Sequence, residues 1–233
     1  MANRNRERAT KRAGVPNVVH SRRFRHGAAL SQRARGLQKH ENFPYSPPED
    51  WHEPTEAKKD PWDIRIIEQP PGEGYRHAVS PKDIQRRLAK LSASMVEPLE
   101  VVQLSRMTRK KRSFPCYGMQ WGPTLYLYPI EESMVEYYSR PPLPAQVTEA
   151  KMYGAQWVQV EGNEWKLVWN RKAIRDFYLN NILIHELGHL LDSRNTSYTD
   201  RERYAEWFAI QHGYKKSKRN RNKTSVSRRH HSS

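Results

Sequence analysis

The longest uninterrupted amphipathic stretch of the chain runs from Lys172 to Asp192. It has no Pro and a single Gly, Gly188, so it predicts one helix of about six turns. At about 100° per residue, Asn181, His185, Gly188, His189 and Asp192 share one narrow sector, and Leu179, Leu183, Ile184, Leu187, Leu190 and Leu191 cover the opposite side. So apolar a helix is expected to be central and buried. A second helix is expected from Thr199 to Gly213, with Glu202 and Glu206 one turn apart and the small Ala205 and Ala209 on or near their face. Ser80-Pro81-Lys82-Asp83 opens an earlier helix, with an N-cap, Pro in the first turn and an acid near the positive end; Ile84, Leu88 and Leu91 give it an apolar stripe. Strand patterns lie at Leu99–Leu104, Cys116–Trp121, Thr124–Ile130 and Met134–Ser139, and Pro141-Pro142-Leu143-Pro144 reads as a break. Trp157 to Trp169 reads as a hairpin about Gly162-Asn163, whose two-residue register pairs Val160 with Trp165 and Val158 with Leu167. The order of elements predicts an α+β fold: a small domain with a mostly antiparallel sheet packed on a buried helix, followed by a second helix.

Charge divides the chain of 233 residues into segments. The formal charge is +16, yet residues 1–39 hold 11 Lys/Arg against the single acid Glu7, and residues 215–233 hold 8 Lys/Arg and no acid. Between them, residues 40–214 carry 22 basic and 24 acidic residues, so the middle is nearly neutral. The ends, 1–40 and 215–233, cannot bury a core and are expected to be disordered arms. Between Glu41 and Pro81 lie 8 of the 16 prolines, interleaved with Phe43, Tyr45, Trp51, Trp62 and Tyr75. Residues 41–79 are therefore read either as an extended segment pinned over the domain by its aromatics, with one short strand at Ile64-Arg65-Ile66-Ile67, or as a semi-rigid linker. The folded domain is then expected over residues 80–214. The lone Cys116 excludes an intramolecular disulfide and a cysteine-built zinc ribbon, and fits a small reduced core residue. No apolar run is long enough to span a membrane and no signal-peptide core is present, so a cytoplasmic location without membrane partners is expected.

The chemistry concentrates in His185-Glu186-Leu187-Gly188-His189. On a helix the two imidazoles project from one face a turn apart, and buried imidazoles need partners. Two neutral imidazoles in that arrangement can hold Zn²⁺, and Glu186 beside them can take a proton from a water that the zinc activates. Such a site needs a third protein ligand, which the Glu202/Glu206 pair offers. Thr199-x-x-Glu202 also reads as a capping box that would occupy Glu202, whereas Ser197-x-x-Asp200 offers the same box and leaves Glu202 available.

His-Glu-Leu-Gly-His followed by Glu202-Arg203-Tyr204-Ala205-Glu206-Trp207-Phe208-Ala209 resembles the compact gluzincin zinc metallopeptidases, over about residues 172–212. The resemblance implies a zincin-like core in which an edge strand lines the cleft and takes a peptide as an added strand; the Gly118–Ile130 region and the 157–169 hairpin are the candidates. It implies one Zn²⁺ held by His185, His189 and Glu202, peptide-bond hydrolysis with Glu186 as general base, and Glu206 as a carboxylate holding a ligand histidine through its other ring N–H. The second motif ends in Glu rather than the commoner Asp, so Glu206 remains an alternative ligand. Asp192 stands where metzincins carry Gly, and residue 195 is Asn rather than a third His; Asp192 is expected to serve the helix end or to partner His189. Tyr198, Tyr204, His212 and Tyr214 are near in sequence, and nothing singles one out as an oxyanion stabiliser. From a different class comes the reading of a nucleic-acid- or ribosome-associated binding protein that uses residues 1–39 and 215–233 on phosphates, with a structural or degenerate metal site. The peptidase reading expects a protein or peptide substrate.

Overall fold

A computed structural model describes residues 52, 58, 60–113 and 116–218. The expected disorder of residues 1–40, and Phe43, Tyr45 and Trp51, lie outside the described residues. The fold is α+β. Its main sheet has the order β1-β3-β5-β4, formed by β1 (Arg65–Glu68), β3 (Val101–Leu104), β5 (Thr124–Leu127) and β4 (Gly118–Trp121). Two antiparallel ribbons complete the strands: β2 (Tyr75–Arg76) with β6 (Ile130–Glu131), and β7 (Val135–Tyr138) with β9 (Trp165–Val168) and β8 (Gln156–Gln159).

The main sheet departs from the expected mostly antiparallel one. β1, β3 and β5 are parallel, and only the edge strand β4 runs against its neighbour. Parallel pairing needs a long crossover, and residues 69–100 supply it through α1 (Pro81–Leu88) and α2 (Ala93–Val96). The fold therefore begins before residue 80, because Arg65–Glu68 pairs along the whole of Val101–Leu104. One sheet face, with Val102, Leu104, Leu125 and Leu127, joins the core. Alternation puts Gln103 and Tyr126 on the other face, where the His52 ring stacks on Tyr126 at 6.3 Å and approaches the Gln103 amide oxygen at 2.6 Å. Lys58 donates to the carbonyls of Pro61, Val96 and Leu99 at 2.8, 3.1 and 2.6 Å. His52 thus lies against the sheet face opposite the core, and Lys58 ties the proline-rich segment to the chain between α2 and β3.

Ser80 caps α1 reciprocally with Asp83, and Ile84, Leu88 and Leu91 are buried as their spacing predicts. Asp83 also accepts from both Nε (3.1 Å) and an outer nitrogen (2.6 Å) of Arg175, which ties α1 to the helix leading into the histidines. The Arg175 hydrogen bond, with help from Ser80 and against burial, holds the Asp83 carboxyl down at about 2. Its stabilisation is present above the ordinary aspartate value and is lost as pH falls through about 2. Arg175 is half-exposed, which limits the pair. Asp83→Asn is expected to lower unfolding free energy by about 1 kcal/mol at neutral pH, and urea melts of variant and parent should converge in acid.

The Pro-rich break opens a helix that the pattern reading passes over, α4 (Pro144–Tyr153), which follows the short α3 (Arg109–Ser113). Pro at its first turn and Gly154 at its end, with φ of +86°, were the signals. The 157–169 hairpin forms with a register one residue from the expected one: Trp157 faces Leu167, Val158 faces Lys166, and a three-residue loop at 161–163 replaces the two-residue turn. The observed register turns Trp157 inward against Tyr138, with ring centroids 4.6 Å apart, and leaves Val158 exposed. Burying an indole removes more apolar surface than burying a valine.

The expected helix over 172–192 is present, with one change. It consists of α5 (Arg171–Phe177), a π-helical turn at Tyr178–Ile182 and α6 (Leu183–Leu191). The next helix likewise runs from α7 (Tyr198–Phe208) into a π-helical Ala209–Tyr214 and continues helically to Lys218, past residue 214 where the basic tail was expected to start. The two π turns lie against each other. A Cβ on Gly213 would fall on the Asn180 carbonyl oxygen, so only glycine allows that contact. Widened turns release carbonyls from the helical ladder. Tyr153 donates to the Asn180 carbonyl at 3.3 Å, and the buried Arg87 donates to the Asn180 side chain and to the His212 carbonyl, both at 2.7 Å. One guanidinium thus joins the histidine-bearing helix to the glutamate-bearing helix.

Candidate metal centre

Helix α6 packs on β4 and β5 on one side and on α7 on another. Leu183, Ile184 and Leu187 are fully buried, which leaves the polar sector free to face α7. Gly188 sets the distance between the two helices: a Cβ there would come within 3.0 Å of Ala205 Cα and 3.1 Å of Phe208 Cβ. Neither of those atoms can swing aside, so a larger residue would push α7 away.

Close approach delivers Glu202 to the histidines. His185 Nε2 and His189 Nε2 are 3.1 Å apart, and the Glu202 carboxylate oxygens lie 3.6 and 3.3 Å from them. The three ligand atoms lie within 4.8 Å of one another, the single such group of His, Cys, Asp and Glu among the described residues. Each side chain keeps between 13 and 18 % of its surface exposed, so the cluster is reachable from solvent. The capping alternatives resolve: Ser197 is the N-cap, its Oγ accepting from Asp200 N–H at 3.2 Å and donating to the Asp200 carboxylate at 2.6 Å, and Glu202 stays out of the cap. Burial alone would raise the Glu202 pKa, but hydrogen bonds and charge from His185 and His189 outweigh it and hold the carboxyl well below its ordinary range. Three electron-rich donors aimed at one point repel each other unless a proton or cation lies between them. Two imidazoles and a carboxylate form a donor set suited to zinc and to other divalent first-row ions, so the residues present fit such a metal.

Glu186 is buried and points toward β4. A Cβ on Gly118 would meet Ile182 at 2.7 Å and the Glu186 carboxylate at 2.9 Å, so glycine is what allows the strand and the helix to meet there. Burial pushes the Glu186 pKa up to about 7; His185 opposes the rise, Glu202 adds to it, and Lys111 and the Gln120 backbone hydrogen bond oppose it. Tyr128 N–H donates to the Tyr117 carbonyl, so alternation turns the backbone groups of Gly118 and Gln120 away from β5.

Asp192 caps the end of α6. Its carboxylate accepts from the backbone N–H groups of Arg194 and Asn195 at 3.3 and 3.2 Å and from the Asn195 amide at 3.0 Å, turning the chain toward α7. Glu206, one turn beyond Glu202, is outside the converging group. Pattern reading missed three supports. Arg87 and Gly118 carried no motif, and Glu136, buried on β7, accepts from Tyr117 Oη at 2.7 Å and Tyr138 Oη at 2.9 Å, which pins the residue that precedes β4. Cys116 proves only partly buried and accepts from Lys111 Nζ at 3.3 Å, rather than filling the core.

Compared with known proteins, the chain matches no family model, no curated protein and no solved structure. The gluzincin resemblance therefore rests on the local sequence motifs alone. No helix among the described residues is long and apolar enough to cross a membrane.

Proposed function

We propose that the chain is a zinc-dependent, zincin-like metallopeptidase of gluzincin type. The observation that carries this reading is the convergence of His185, His189 and Glu202 with the buried Glu186 carboxyl beside them. Those three residues would hold the ion, which when bound supplies Lewis acidity toward a carbonyl and acidifies water. Glu186 accepts a proton from the attacking water and passes it to the departing amine. Its carboxyl value of about 7 is near the value that favours both taking up and giving back a proton at neutral pH. β4 is the antiparallel edge of the sheet and packs along α6, so it offers an extended peptide a strand to pair with, which favours it over the 157–169 hairpin as the cleft wall. Elemental analysis of the purified full chain should find about one zinc per chain. Cleavage of an unfolded protein such as casein should stop on chelation and return with zinc; equal cleavage by chelated and untreated protein would overturn the proposal.

A further inference from the structure

The outer side of α7 carries features that the metal site does not use. Ala205 and Phe208 are buried against α6, whereas Trp207 is 49 % exposed, more than any other described tryptophan. The Tyr204 ring lies 5.6 Å from Trp207, and the Arg194 guanidinium stands 5.6 Å over Tyr204. Trp207, Gln211 and Lys215 follow at four-residue intervals, and Lys215 Nζ donates to Gln211 at 3.1 Å. Arg203, Lys215, Lys216 and Lys218 are exposed; Asp200 lies 3.5 Å from Arg203, and Lys218 Nζ stands 5.3 Å over the Tyr214 ring. The helix then leads into a sequence in which residues 215–233 hold 8 Lys/Arg and no acid.

We propose that this face of α7 binds single-stranded nucleic acid, with Trp207 as the stacking platform and Arg194, Arg203, Lys215, Lys216 and Lys218 pairing with phosphates. An apolar protein partner covering Trp207 would have to strip water from several cations at once. A single strand presents flat base faces to the indole and phosphates to the surrounding cations. A duplex offers the phosphates but hides the base faces, so the surface prefers the single strand. The proposal does not depend on the metal or on peptidase activity, although both surfaces share one helix and a bound strand would hold the cleft near proteins on the same strand.

The test uses the full chain and the anisotropy of a fluorescent oligodeoxythymidine, a duplex of equal length and a labelled polyglutamate. The single strand should bind most tightly, and its affinity should fall steeply with salt. Trp207→Ala should weaken single-strand binding by about tenfold or more with zinc content unchanged, and Trp207→Phe should restore most of it. Lys215→Glu/Lys216→Glu should flatten the salt dependence. Glu186→Gln should bind the strand as the parent does, so failure of the peptidase reading leaves this result intact. The proposal is overturned if Trp207→Ala binds like the parent, if duplex or polyglutamate binds as tightly as the single strand, or if no strand is bound at physiological salt.

Discussion

Glu186→Gln is expected to keep its zinc and to lose about 10²- to 10⁴-fold in cleavage rate, the range a positioned general base contributes. The amide matches the carboxyl in size, so the close packing of residue 186 against Gly118 should survive. The proposed ligands are His185, His189 and Glu202, so metal content should be unchanged. Metal-free protein supplies a second reading of the same residue. Burial, with Glu202 adding, lifts the carboxyl from 4.5 to about 7. A buried acid with a raised value binds its proton more tightly folded than unfolded, so its ionisation destabilises the metal-free fold as pH rises between those values. That difference corresponds to about 3 kcal/mol, and Gln cannot incur it. Chelated Glu186→Gln should therefore resist urea better than chelated parent at about pH 8 and resemble it at about pH 5. A variant that retains cleavage would remove Glu186 from the mechanism; parallel urea curves at both pH values would mean that its carboxyl is not raised.

Elements whose reasons are local were legible in the chain. The Ser80 cap, the α6 stripe, the strands and the paired carboxylates of α7 follow from spacing and turn chemistry, and all lie within a few residues of where the pattern put them. What escaped depends on contacts distant in sequence. The parallel pairing of β1 with β3 needs a partner over 30 residues away, and Ile64-Arg65-Ile66-Ile67 alone shows only a short strand. The hairpin register was settled by Trp157 packing on Tyr138, not by the turn. The π turns have no periodicity to announce them; they rest on Gly213 meeting Asn180 and on Arg87 reaching both helices. Gly188 was visible as an oddity in an apolar helix, and the structure supplies its reason in the backbone of Ala205. The choice between two capping boxes was open in the sequence because Ser197 and Thr199 are equivalent acceptors until the start of α7 is fixed.

That choice bears directly on the other large expected effect. Glu202→Ala should lose zinc, with affinity falling more than about 100-fold, whereas Glu206→Ala should stay within about tenfold of the parent, as suits a residue that supplies no ligand atom. Both glutamates lie on α7 one turn apart, so helix propensity and net charge change equally in the two variants, and only position relative to α6 differs. Glu202 brings its two oxygens to 3.6 and 3.3 Å from the two histidine nitrogens, at the point where Gly188 lets the helices come closest. Removing it leaves two imidazoles 3.1 Å apart with no anion to balance a dication. Zinc titrations of both variants against a competing chelator decide the assignment. Loss in Glu206→Ala with retention in Glu202→Ala would transfer the ligand role one turn along the helix. Loss in neither would mean that His185 and His189 find their third donor elsewhere.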